Sequence, residues 1–130
     1  MSIKQLFVTF LVFLNSLSWA ASPKEKSYAE QETWKKLQQR MPENYRLNDN
    51  NVPHEYFWPW KDYQIHVDHY PRPNAPGKII LLHGVGTNGR QLSLVFGHPL
   101  AEAGYETMAL DLPGYGLTQY PSKSKIRYED

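Results

Sequence analysis

The sequence predicts an α/β fold in which antiparallel edge strands lead into a parallel β–α–β unit, with the sheet left incomplete. Three observations predict it. Tyr63, Ile65 and Val67 alternate with polar residues over Tyr63–Tyr70, the pattern of a strand with one wet face. Lys78–His83 and Thr107–Leu110 are short unbroken apolar runs, as in parallel strands covered on both faces. A glycine-rich turn and a helical stretch separate these runs, so strand, helix and strand fit into about 30 residues.

The first 20 residues read as a targeting segment. Lys4 supplies a positive charge, Leu6–Leu14 is apolar apart from Thr9, and Ser18-Trp19-Ala20 has the small–x–small form that signal peptidase cleaves. Cleavage near Ala20 predicts export to the periplasm or the medium; the alternative is an uncleaved N-terminal membrane anchor. The apolar run is shorter than the roughly 20 residues of a spanning helix.

Residues 21–54 read as a helical extension and a linker. Ser22-Pro23-Lys24-Glu25 offers one helix start and Ser27-Tyr28-Ala29-Glu30 a second. Trp34, Leu37 and Met41 fall on one face, and Pro42 ends the helix. The weak stripe predicts an extension that packs on the domain or swings free. Glu43–Pro53 is polar and rich in Asn, as linkers are.

Residues 55–130 hold the main domain. Tyr56, Phe57, Trp58 and Trp60 precede the alternating strand, which predicts one or two antiparallel edge strands with packed rings. Pro71–Gly77 forces a turn. After Lys78–His83, Asn88 can cap a helix over Leu92–Ala103, interrupted at Gly97, restarted at Pro99 and closed by Gly104. Thr107–Leu110 ends at Asp111, and Leu112–Thr118 is a second glycine turn. The last 12 residues are polar and basic, and Tyr128-Glu129-Asp130 reads as the opening of a further helix.

Charge narrows the partners. Without Lys4, 13 basic residues face 13 acidic ones and no block of like charge stands out, which argues against nucleic acid. With no cysteine there is neither a disulfide frame nor a thiol nucleophile. His66 and His69 point to opposite faces of a strand, so they do not share an ion and read as surface residues. His54 and His98 are isolated. No metal and no cofactor is expected.

Gly84-x-Gly86-x-x-Gly89 matches the dinucleotide fingerprint, and Asp111 falls 22 residues after Gly89, close to a ribose-binding acid. Three features oppose that reading. His83 abuts the turn, where a dinucleotide site gives an imidazole no role. Asp111 leads through Leu112 into the tight loop Pro113-Gly114-Tyr115-Gly116, and an alternating strand precedes the β–α–β unit.

A better match is available. His83-Gly84-Val85-Gly86 resembles the His-Gly oxyanion turn that follows the third strand of α/β-hydrolases. Asp111-Leu112-Pro113-Gly114-Tyr115-Gly116 resembles the Asp-x-Pro-Gly-x-Gly loop after their fourth strand, and Pro99–Tyr105 their helix end between the two. The pair, so spaced, is similar to lysophospholipase-, esterase- and serine-aminopeptidase-like members over about residues 56–130, the N-terminal portion of the fold. The resemblance implies that His83, Gly84, Val85 and Gly86 form the oxyanion side of a substrate site, with the donor at Val85. It implies that Asp111, Gly114 and Gly116 hold a loop beside the site and that His83 is structural. The family's nucleophile lies in G-x-S-x-G, with acid and base later in the chain. These 130 residues contain no such pentapeptide, so no catalytic residue is assigned.

The expectation is therefore the N-terminal fragment of an exported serine hydrolase, inactive as given, whose whole acts on a small-molecule ester or amide. The alternatives are a dinucleotide-binding domain and a non-catalytic secreted module. In the family's strand order the third strand lies between the fourth and the missing fifth, so Lys78–His83 is expected to present an unpaired apolar edge.

Overall fold

A computed structural model describes residues 27–121. The targeting segment, the possible helix start at Ser22 and the helix opening at Tyr128 lie outside the described residues.

Strands β1 (His54–Trp60) and β2 (Tyr63–Tyr70) form an antiparallel hairpin with Trp60 opposite Tyr63. Lys61, at the reversal, takes a positive φ of 50°, as tight hairpin turns require. β3 (Lys78–Leu82) and β4 (Glu106–Leu110) run parallel, and β4 also pairs antiparallel with β2. The order β1-β2-β4-β3 joins the antiparallel edge to the parallel unit in one sheet, as predicted, and leaves β3 at its edge among the described residues.

Helix α1 (Glu32–Arg40) follows a 3-10 turn, Tyr28–Glu30, capped by Ser27, whose Oγ accepts the Ala29 N–H. The second of the two sequence starts thus opens the described helical segment, and the helix stops before Pro42. Beyond β3, α2 (Gly89–Leu92), a π-helical turn (Ser93–Gly97) and α3 (His98–Glu102) form one rod. The predicted interruption at Gly97 is corrected: the wide turn carries the helix through Gly97 and Pro99. Gly97 keeps the rod close to the sheet, since a Cβ there would sit 3.3 Å from the Tyr70 ring. Gly104, at φ 98°, ends it.

The two faces of the sheet differ. The rod and residues 27–41 cover one face, where Tyr28, Trp34, Leu94 and Leu117 form a core with Met41, Leu47 and Phe57 against it. On the other face Tyr63, Ile65 and Val67 pack with Tyr56, Trp60, Met108 and Leu110.

Three burial expectations are corrected. The polar side of β2 is not wet: His66 and Asp68 are fully buried, because segments far away in sequence close over them. His66 is therefore no surface residue, and His69 is half-buried, with Nε2 2.9 Å from Glu106. β3 is not covered on both faces: Ile80 and Leu82 are 60% and 62% exposed. The rod reaches only the face that carries Ile79 and Leu81. The aromatic strand is only partly packed, with Trp58 47% exposed. Among the described residues no helix is long and apolar enough to cross a membrane.

Candidate functional site

The two glycine turns lie side by side at the ends of β3 and β4. His83 joins them. Its Nδ1 donates to the Gly84 carbonyl at 2.8 Å, and its Nε2 accepts the Leu112 N–H at 3.0 Å. These partners fix a neutral ring protonated on Nδ1. The Nε2 lone pair is thus engaged, and His83 has no free site from which to act as a base. Tyr115 packs edge-on to the ring at 5.0 Å.

Val85 is 92% exposed between Gly84 and Gly86. A Cβ at either glycine would meet nothing within 4 Å, and Gly86 has φ 83°. Among the described residues the Val85 N–H has no acceptor. The turn is pinned at its far end. Asn88 Oδ1 accepts the Gln91 N–H at 3.0 Å, opening α2, and the Gly89 N–H donates to Asp111 Oδ1 at 2.7 Å.

Asp111 is fully buried. Besides Gly89 it accepts the Leu117 N–H at 2.8 Å and the Tyr28 hydroxyl at 2.8 and 3.0 Å, while its carbonyl accepts from Thr118. Burial raises its carboxyl, but His66 and the Leu117 N–H outweigh that and hold it below the usual range. Gly114 and Gly116 both take positive φ. A Cβ at Gly116 would run into the Asp111 carboxylate and the Tyr28 hydroxyl.

The dinucleotide spacing is thereby put to another use. Asp111 binds the Gly89 N–H and, fully buried, has no surface to offer a ribose. Gly89 is needed where the helix meets the sheet, since a Cβ would lie 2.8 Å from the Leu110 carbonyl carbon.

An ionic cluster that the sequence did not reveal lies behind these turns. Arg90 is 1% exposed. Its Nε and Nη2 bind Asp68 at 2.6 and 2.8 Å, and Nη2 also reaches Glu55 at 2.6 Å. Its guanidinium carbon lies 4.7 Å from the Tyr28 ring centroid and 5.6 Å from that of Trp34. His66 Nε2 meets Glu55 at 2.9 Å. His66 Nδ1 is 3.1 Å from Asp111, close enough for charge attraction but off hydrogen-bond alignment. Burial pulls the His66 imidazolium down, yet Asp111, Glu55 and Asp68 outweigh it and push its pKa up to about 9. Burial raises Glu55, and its bonds to His66 and Arg90 bring it down to about 2. Burial, with the Asp111 charge beside it, pushes the Tyr28 hydroxyl well above the ordinary phenol range.

Glu55, His66 and Asp68 also place possible metal-ligand atoms within 4.8 Å of one another. The Arg90 guanidinium already bonds two of the three, so a protein cation holds that position and the donor set does not fit an added ion. The clue to the cluster was register: Glu55 opposite Asp68 and Phe57 opposite His66 put Glu55, His66 and Asp68 on one face of the hairpin.

No protein-family model matches the chain, and no curated protein matches it. Among solved structures, a predicted CIB-like hydrolase from Thermoplasma acidophilum is similar at 20% identity and a TM-score of 0.50. The match covers 61% of this chain and 39% of that one. A thioesterase domain from the curacin biosynthetic pathway is similar at 28% identity and a TM-score of 0.45, over 55% of this chain and 25% of that one. The chain thus spans well under half the length of either. The first likeness carries the fold alone: the chain has part of the α/β-hydrolase fold.

Proposed function

We propose, from the α/β-hydrolase fold that the described residues adopt in part, that this chain is the oxyanion-side portion of an exported serine hydrolase acting on esters or amides. The observation that carries the reading is the Val85 N–H: it has no acceptor among the described residues and belongs to an exposed residue flanked by two bare glycines just past β3. Export rests on the Met1–Ala20 segment.

Acyl transfer passes through a tetrahedral intermediate whose oxygen gains a full negative charge. A backbone donor already fixed in place stabilises that charge without reorganising. Val85 would supply one such donor. His83 and Asp111 hold the two turns that frame it, and neither has a free position for proton transfer. The attacking serine would come from polypeptide outside these 130 residues, since they hold no G-x-S-x-G.

Three measurements test this. The 130-residue chain should resist labelling by a fluorophosphonate serine probe; stoichiometric labelling would overturn the assignment. Sequencing beyond codon 130 should reveal a G-x-S-x-G. In the longer protein, Val85→Pro should lower kcat on a p-nitrophenyl ester by roughly 10²- to 10³-fold with little change in KM. Unchanged turnover would reject Val85 as the donor.

A further inference from the structure

We propose that Tyr28 is a positioning residue for the oxyanion turn, which makes the N-terminal segment part of the site's scaffold rather than a loose extension. The functional meaning of this inference rests on the hydrolase reading; its geometry does not.

Tyr28 is 1% exposed, and its hydroxyl donates to the Asp111 carboxylate, whose oxygens lie 2.8 and 3.0 Å away. That carboxylate grips both turns at once, through the Gly89 N–H of the first and the Leu117 N–H of the second. Val85 lies only four residues before Gly89. Displacing the carboxylate would therefore release the far end of the turn that presents the donor. Tyr28 is itself held from behind. Its backbone N–H donates to Glu55 Oε2 at 3.1 Å, and the Ser27 hydroxyl donates to Oε1 at 2.9 Å. Gly116 fits this contact closely, having no side chain where the hydroxyl and the carboxylate meet. A tyrosine kept only for core packing would need its ring, which lies edge-on to Trp34 at 5.7 Å and to His66 at 5.2 Å. It would not need a hydroxyl aimed at a carboxylate that clamps two loops.

Tyr28→Phe separates the two roles, because it keeps the ring and removes only the oxygen. Amide hydrogen exchange and ¹⁵N–¹H spectra are compared with and without the substitution, in a 130-residue chain carrying Ile80→Lys and Leu82→Lys so that its exposed apolar strand does not drive association. We expect exchange at Gly89 and Leu117 to accelerate roughly tenfold or more, from the loss of a hydrogen bond to a charged acceptor. The Val85 and Gly86 signals should shift, while Ile65 and Val67 keep their exchange rates. Uniform acceleration across all core amides, or unchanged Val85–Gly89 signals, would overturn the proposal. If the Phe variant fails to fold, site-specific 3,5-difluorotyrosine at position 28 retains the ring and the hydroxyl and makes the hydroxyl a stronger donor. The Gly89 and Leu117 amide shifts should then respond and that of Ile65 should not; no response at Gly89 would reject the clamp. Neither measurement involves turnover, so a failure of the hydrolase reading would not register in them.

Discussion

Arg90 shows how a residue can decide a fold while staying invisible to pattern reading. In the sequence it is one basic residue after a glycine turn. In the structure it neutralises Asp68 and Glu55, which lie on the hairpin. Arg90→Met should cost about 3–5 kcal/mol in urea unfolding, because it strands the fully buried Asp68 carboxylate and leaves the part-buried Glu55 without its guanidinium, rather than removing one contact. The same cluster makes stability depend on pH. His66 titrates higher folded than unfolded, so its contribution is complete below about pH 6.5 and fades as pH rises toward about 9. Glu55 titrates lower folded, so its contribution is complete above about pH 4.5 and is lost as pH falls toward about 2. Melting temperature should therefore plateau between about pH 5 and 6.5 and decline on both sides. His66→Gln should flatten the alkaline decline. Alternation alone could not reveal this: a polar position on a strand reads as wet whether water or a distant arginine faces it.

At the scale of elements, more was legible. The hairpin followed from Tyr63–Tyr70 and the rings before it, and the parallel strands from their unbroken apolar runs. Asn88 was readable as a cap from its place before the helix, and its side chain accepts the Gln91 N–H. Asn88→Ala should cost about 1 kcal/mol, measured by the same urea titration. Gly97 and Pro99 misled, because local propensity predicts a break where contact with Tyr70 and Thr107 favours a continuous rod with one wide turn. The sequence places Trp34 on one helix face with Leu37 and Met41, but not against its partners, since Leu94 and Leu117 lie far along the chain. Trp34→Ala should destabilise by about 3–5 kcal/mol; a loss below 1 kcal/mol would mean that the segment is only loosely docked. The two glycine turns were legible as a pair, although spacing alone fitted a dinucleotide nearly as well. What separates the readings is where the Asp111 carboxylate points, and that is a tertiary fact.

At the scale of the whole molecule, the described residues are lopsided. One face of the sheet is closed by the rod and the N-terminal segment. The other carries a groove of ≈ 250 Å³ among Tyr56, Trp58, Val67, Ile80, Met108 and Leu110. Beside it β3 has a free edge among the described residues. Open apolar surface next to an unpaired strand favours association. We therefore expect the 130-residue chain to self-associate at micromolar concentration in sedimentation velocity. Ile80→Lys with Leu82→Lys should shift it toward monomer. A monomeric wild-type chain with a sharp cooperative melt would refute this. The edge position of β3 was anticipated from the resemblance, whereas exposure on its flat side was not: an apolar run reports that a strand prefers cover, not that the cover is present.

The Tyr28–Asp111 bond spans 83 positions, and that separation orders events in time. The N-terminal segment leaves the ribosome first, yet its hydroxyl finds an acceptor only after β4 has been made. A contact so distant in sequence requires closure of a long loop, which slows its formation relative to the local hairpin. A segment made early is thus expected to lock late, and the Gly89 end of the turn that carries Val85 gains its last anchor when Tyr28 reaches Asp111.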